Sequence, residues 1–207
     1  MPALVVSAAP EISCVRSCSH RISPQHHGNR CSITYAKLNK GEAIALESEW
    51  TARQHHLEWM SRLSLFGVTD EAWGDARRDL DSRGGGAFSE SDVLWSILNR
   101  LVSDNLVSSD FSALKSLYFQ MGLFSVGEGR ESFDCFRRSS EMALRSLQRG
   151  GVSRVAISTA GRGNACPECY RQNDREVSVE EAIRTLPLPH ANCSSPYGYC
   201  RCTWVPA

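Results

Sequence analysis

The chain carries no net charge, its 23 lysines and arginines balancing 23 aspartates and glutamates. That balance excludes a global field drawing the whole molecule to nucleic acid or to an anionic membrane, and leaves only local patches to be considered. Long apolar runs are missing too. No stretch approaches the roughly 20 apolar residues of a membrane helix. The apolar start MPALVVSAAP has no basic segment ahead of it, so it does not read as a secretory signal. The expectation is a cytoplasmic protein with no membrane partner. In a reducing compartment clustered cysteines are metal ligands more often than disulfides, and only export would reverse that preference.

What is present is enough for a core. At 207 residues, 42% hydrophobic and 22% charged, the sequence has room for one ordinary globular domain and a small module. Residues 1–40 hold Pro2, Pro10 and Pro24, many serines and no sustained apolar period, which predicts disorder. Cys14, Cys18, His20 and Cys31 lie here at a spacing too loose for a metal knuckle.

From Gly41 the period turns helical. Leu46, Trp50, Leu57 and Met60 predict one amphipathic stripe, and the adjacent His55 and His56 point to different faces, so they do not share a metal. Thr69 or Asp70 caps a helix over Glu71–Leu80, and the SRGGG run at Ser82–Gly86 breaks it. Ser89 or Ser91 opens a helix with a broad face of Val93, Leu94, Ile97, Leu98, Leu101 and Val102. Ser109 or Asp110 opens the next, through Leu114, Leu117, Tyr118 and Met121, and a loop is expected over Gly122–Gly129. Phe133, Phe136, Leu144 and Leu147 predict a helix over Glu131–Gln148 that stops at Gly150-Gly151, with Cys135 as a small core residue. Then the period becomes alternating. SRVAISTA reads as a strand, Asn173-Asp174 as a turn, Arg175–Val179 as a second strand and CRCTWV as a third. Ser178 and Glu181 match a capping box for a short helix that Pro187 and Pro189 end.

The chemistry is concentrated in the tail, which holds five of the nine cysteines. CPEC supplies Cys166 and Cys169, PLPHANC supplies His190 and Cys193, and CRC supplies Cys200 and Cys202. A CxxC pair puts two thiolates on one tight turn, within reach of a single tetrahedral zinc at about 2.3 Å. A second pair must come from a distant segment, and closing that loop on a metal offsets chain entropy. Five thiols and a histidine compete for four places around one structural zinc ion.

The order of these motifs resembles the C-terminal segment of phage head morphogenesis proteins of the Mu F-like type, in which a strand, CxxC, a turn, a β segment, a proline-rich loop, HxxC and CRC follow one another. The resemblance covers about residues 152–207. It implies a zinc module and a phage-related assembly partner. This chain inserts SSPYGY between the HxxC and CRC elements, which leaves two ligand sets open: Cys200 in place of Cys193, or Cys193 together with one of the CRC pair.

Four filled places would close the coordination sphere, so the ion is structural and a binding or assembly role is favoured over catalysis. Hydrolysis or deamination would need an open position and a base, for which Glu168, Glu180 and Glu181 are the nearby carboxylates. A CxxC dithiol of the thioredoxin kind would need a helix starting at the pair, where YRQND offers turn residues instead. Nucleic-acid binding is the remaining alternative, carried by Arg162, Arg171, Arg175, Arg184 and Arg201 with Tyr170, Tyr197, Tyr199 and Trp204 as stacking surfaces, although aromatics beside a zinc site more often form the small core that such a module otherwise lacks. The expected architecture is α+β: a disordered segment over 1–40, a helical domain over 41–150, and a cysteine-rich module over 151–207 built as a zinc-stabilised β-hairpin or knuckle.

Overall fold

A computed structural model describes residues 40–83, 88–161 and 165–207. The segment expected to be disordered, with Cys14, Cys18, His20 and Cys31, lies outside the described residues. So do Gly84–Gly86, Arg162 and the side chains of Leu46 and Trp50. The protein is α+β, mostly helical with a small antiparallel sheet near the C-terminus. It divides into two units, one ending at Asp70 and one spanning Glu71–Ala207.

In the first unit, α1 spans Lys40–Leu63 and runs into a single 3₁₀ turn, Ser64–Phe66, closed by Gly67 at φ 74°. The buried seam is not the expected one. Trp59 and Leu63 are buried, four residues apart on one face, whereas Leu57 is 50% exposed. The two histidines diverge as the helical period requires. His55 Nε2 accepts from Trp59 Nε1 at 3.1 Å, and His56 Nε2 lies 3.3 Å from Asp70 Oδ1.

Helix α2, Asp70–Arg83, buries Trp73 and Ala76, and Trp73 Nε1 donates to Glu90 Oε2 at 3.1 Å. Helix α3 spans Glu90–Ser108. It starts with a complete capping box, in which Asp92 N donates to Ser89 Oγ at 3.2 Å and Ser89 N to Asp92 Oδ2 at 2.9 Å. The hydroxyl and amide of Ser89 hold the Asp92 carboxyl below its usual range. Helix α4, Phe111–Gly127, is capped by Asp110, whose Oδ1 accepts from Ala113 N at 2.9 Å.

The loop expected over Gly122–Gly129 is instead helix as far as Gly127, and Phe124 within it is buried. The reason is tertiary. Helix α5, Phe133–Arg149, lies so close to α4 that a Cβ on Gly122 would sit 2.6 Å from the Phe136 ring. Gly122 is therefore a point of close approach and not a break. Ser139 Oγ reinforces the contact by donating to Lys115 O at 2.8 Å. Gly122→Ala is expected to destabilise the protein. The gain of about 1 kcal/mol in helix propensity is outweighed by overpacking of about 1–3 kcal/mol against Phe136. Gly127→Ala, where nothing lies within 4 Å, should leave the midpoint of thermal unfolding unchanged or raised. Equal effects of the two substitutions would contradict this account.

Helix α5 ends in a Schellman turn: Val152 N donates to Leu147 O at 3.1 Å and Gly151 N to Gln148 O at 3.0 Å, with Gly151 at φ 81°. The chain then enters β1, Arg154–Ser158. It continues through α6, Pro167–Arg171, β2, Glu176–Ser178, α7, Val179–Thr185, and β3, Thr203–Pro206. Strand β1 is central, antiparallel to both β2 and β3, with Val155 opposite Val177 and Ile157 opposite Trp204. The sheet does not stand apart from the helices. Val155, Ile157 and Trp204 share one buried cluster with Ala143 and Leu144 of α5, Val179 and Ala182 of α7, and Leu188 beyond it. Strand β3 begins at Thr203, so the CRC motif lies before it and not within it as expected. Ser178 Oγ accepts from Glu181 N at 3.1 Å and caps α7, which ends ahead of Pro187.

Candidate metal centre

The sheet register brings the two halves of the cluster together. Ser158 at the end of β1 pairs with Thr203 at the start of β3. The chain leaving β1 toward CPEC and the chain entering β3 from CRC therefore meet at one end of the sheet. Thr159 N and Oγ1 fix the exit from β1 by donating to Asn173 Oδ1 at 3.1 and 2.9 Å. At CPEC a single helical turn replaces the expected irregular turn. Pro167 occupies the first helical position and the Cys166 thiol caps it, accepting from Cys169 N at 3.4 Å. His190 and Cys193 are joined by a turn in which Cys193 N donates to His190 O at 3.2 Å.

All five tail cysteines and His190 converge. Cys166 Sγ lies 3.7 Å from Cys193 Sγ, and Cys169 Sγ lies 3.6 Å from both Cys193 Sγ and Cys200 Sγ. Two donor triads, Cys166–Cys169–Cys193 and Cys169–His190–Cys202, each fall within 4.8 Å. These are free thiols. A disulfide would bring the sulfurs to about 2.05 Å. A tetrahedral ion at about 2.3 Å from each sulfur sets them about 3.8 Å apart, close to the spacing found. A cavity of about 10 Å³ is lined by four of the sulfurs, those of Cys166, Cys169, Cys193 and Cys202, together with Ala160, Ala165, Ser195 and Arg201. It is too small to take an organic substrate. His190 contributes a ring nitrogen, Nε2, that is buried without a hydrogen-bond partner. A buried ring nitrogen of this kind calls for a water, a proton donor or an ion. The donor set, thiolates with one imidazole, is suited to zinc and to other soft divalent cations.

Backbone amides prepare some of the sulfurs for the charged form. The amide of Cys169, with that of Ser194, pulls the Cys166 thiol down to about 7 against the desolvation that opposes it. Cys200 is pulled down to about 5, first by the Cys202 side chain and then by the amides of Cys202 and His190. Burial pushes Cys169 and Cys193 up, and the neighbouring Cys200 does the same to Cys202. Deprotonating one sulfur makes its neighbours harder to deprotonate, which is the electrostatic problem a divalent cation resolves. Cys135 stands outside the cluster, half-buried on α5, its thiol raised by burial.

The other sequence candidates separate clearly. Glu168 pairs with Arg171, while Glu180 and Glu181 are exposed on α7. A His-x-Glu sequence does occur upstream of CPEC, at His56–Glu58, and its Glu58 pairs with Arg62 at 2.6 Å. Of the aromatic residues considered as stacking surfaces, Tyr170 and Tyr197 are exposed, and the Arg201 guanidinium lies 4.6 Å from the Tyr197 ring centroid. Trp204 is core. Tyr199 stacks on Phe136 at 4.8 Å and meets Phe119 edge-on at 5.9 Å. The inserted SSPYGY segment is thereby pinned to α4 and α5 by the residue that immediately precedes Cys200. Sequence reasoning missed this anchor, because an aromatic in a Gly/Pro/Ser loop gives no sign of its partner.

Tyr199→Ala is expected to cost about 1–2 kcal/mol through lost ring contacts and burial, and to speed removal of metal by a chelator. Tyr197→Ala should do neither. A Tyr199→Ala protein with unaltered extraction kinetics would show that the anchor and the cluster are independent.

No protein-family model matches the chain, and neither the curated proteins nor the solved structures contain a match. Among the described residues no helix is long and apolar enough to cross a membrane.

Proposed function

We propose that this is a cytoplasmic binding or assembly protein whose C-terminal region is held by a structural zinc ion. The observation that carries this reading is the clustering of the tail donors: the triads Cys166–Cys169–Cys193 and Cys169–His190–Cys202 each fall within 4.8 Å, and Cys200 Sγ lies 3.6 Å from Cys169 Sγ. A filled donor set makes the ion a fold-closing element, and coupling of binding to folding makes its affinity part of the stability of the module. The order of CxxC, HxxC and CRC, with its resemblance to phage head morphogenesis proteins, supports a phage-related protein assembly as the partner. The helical hairpin of α4 and α5, to which Tyr199 ties the tail, supplies a rigid support for such a surface.

The test is elemental analysis of protein purified without added metal, with a parallel count of reactive thiols. Stoichiometric zinc, with tail thiols protected until a chelator is added, is the expected result. Metal-free protein in which Cys166 and Cys169 oxidise reversibly would replace this reading with a dithiol redox role.

A second reading, nucleic-acid binding, is favoured by one observation: the exposed Tyr197 ring carries the Arg201 guanidinium beside the cluster, and Tyr170 is exposed nearby in sequence to Arg171. It requires single-stranded nucleic acid to bind with an affinity that falls steeply with salt, since phosphate contacts release counterions. Salt-independent or absent binding would remove it.

A further inference from the structure

We propose that a groove between helices α3, α4 and α5 binds a small amphipathic anion, an apolar ring or acyl body that carries one carboxylate or phosphate. The groove shares no lining residue with the cysteine cavity, so the site stands whether or not the cluster holds zinc.

The groove encloses about 610 Å³. Sites for small organic ligands span roughly 300–1,000 Å³, so the volume suits a molecule of that class. Its apolar lining comes from four segments. Tyr118 of α4 and Met142 of α5 are buried in it, and Leu106 near the end of α3, Phe111 at the start of α4 and Leu186 just after α7 complete it. Leu106 is 51% exposed, an apolar side chain left open to solvent on the lip of the groove.

The charged lining comes from α5. Arg137, Glu141 and Arg145 recur every four residues and share one face of the helix, with Arg138 and Met142 in the adjoining row. Glu141 is committed to Arg145 at 2.7 Å. Arg138 lies over the Tyr118 ring, 5.8 Å from its centroid, and neither Arg137 nor Arg138 has an ion-pair partner among the described residues. Asp134 is the other carboxylate of the lining, so two uncommitted guanidinium groups face one acid. Their forked N–H donors suit the oxygens of a carboxylate or phosphate, while the apolar body of the ligand covers the aromatic lining. Charge narrows the occupant further. Residues 1–39 of the chain itself hold Arg16, Arg21, Arg30 and Lys37 against Glu11, the wrong sign for this groove. An inorganic anion would leave the apolar lining wet, and an uncharged hydrocarbon would leave both arginines without a counter-charge.

The test is titration of the full chain with anilinonaphthalene sulfonate, an apolar ring system with one fixed negative charge, read by fluorescence. One saturable site per chain is expected. Decanoate and phenyl phosphate should displace the dye, and decanol and inorganic phosphate should not; the stronger of the two competitors identifies the preferred head group. The Arg137→Gln/Arg138→Gln double variant should weaken dye binding about tenfold or more, the loss expected when charge-assisted hydrogen bonds are removed. Leu106→Glu, which sets a carboxylate on the lip, should weaken it as well. All three side chains are at least half exposed or on the surface of α5, so the unfolding midpoints of these variants should match the parent. Arg154→Gln, a β1 position paired with Glu176 and outside the groove lining, is the control and should bind as the parent does. Unchanged affinity in both groove variants overturns the proposal. So does equal competition by decanol and decanoate, displacement by neither decanoate nor phenyl phosphate, or the absence of a saturable site. None of these results bears on the metal content that tests the zinc reading, so the two can fail separately.

Discussion

Cys169→Ser is expected to strip the protein of metal and to lower its unfolding midpoint by roughly 8–16 °C. Cys169 is the sulfur that meets Cys193 and Cys200 at 3.6 Å and belongs to both donor triads. Its loss removes the centre of the cluster and leaves its neighbours a set of crowded thiols. The size of the effect follows from linkage. A ligand present at a thousandfold excess over its Kd stabilises the native state by about 4 kcal/mol, and each kcal/mol is worth about 2–4 °C in a chain of this length. Differential scanning calorimetry with and without a chelator checks it: the chelator should lower the midpoint of the parent protein and leave that of Cys169→Ser nearly unchanged. Cys135→Ser is the matched control, since that thiol lies on α5 outside the cluster, and metal content should be unaffected. A Cys169→Ser protein that keeps stoichiometric zinc would place the site elsewhere.

Much of this arrangement was legible in the sequence where the signal is local. Ser89 and Asp110 marked helix starts because their side chains satisfy free amides within three residues. Gly150-Gly151 marked a helix end because one of them had to take a positive φ. The β-branched alternation of RVAIS gave the central strand. The failures share a cause at the tertiary level. Gly122 reads as a break in any one-dimensional window, and only the Phe136 ring on the neighbouring helix gives it a reason to be helical. Leu57 lies on an apolar stripe but is half exposed, because the buried seam runs through Trp59 and Leu63. The one-turn helix after Cys166 was missed because a thiol is an unusual cap and the YRQND sequence after it suggests a turn.

The candidate site divides in the same way. Spacing named all six donors, since a CxxC, an HxxC and a CRC are visible without a fold. Which sulfurs meet was not visible. That depends on the β1–β3 register, on the docking of the inserted loop through Tyr199, and on the short turn that places His190 beside Cys202. In the sequence Tyr199 and Trp204 are candidates for a base-stacking surface, with the small core of the cysteine-rich module itself as the favoured alternative. Each instead has a partner on α5, more than sixty residues earlier in the chain for both Phe136 and Ser140.

Trp204→Ala should therefore be among the most damaging substitutions away from the cluster itself. The indole is 6% exposed, faces Ile157 across the β1–β3 pair, and donates from Nε1 to Ser140 Oγ at 2.9 Å. Truncating a buried tryptophan costs about 3–5 kcal/mol, which corresponds to a midpoint lowered by roughly 6–20 °C. Its effect should reach the metal centre. Cys202 lies two residues before Trp204, and the strand that Trp204 anchors sets the position of the CRC ligands against CPEC. Trp204→Phe separates the contributions. It keeps most of the packing volume but deletes the hydrogen bond, worth about 1 kcal/mol, so it should leave chelator extraction of the metal near the parent rate while Trp204→Ala accelerates it. If Trp204→Ala were as stable and as slow to lose metal as Trp204→Phe, the core shared by α5 and the sheet would not be what holds the two halves of the cluster together.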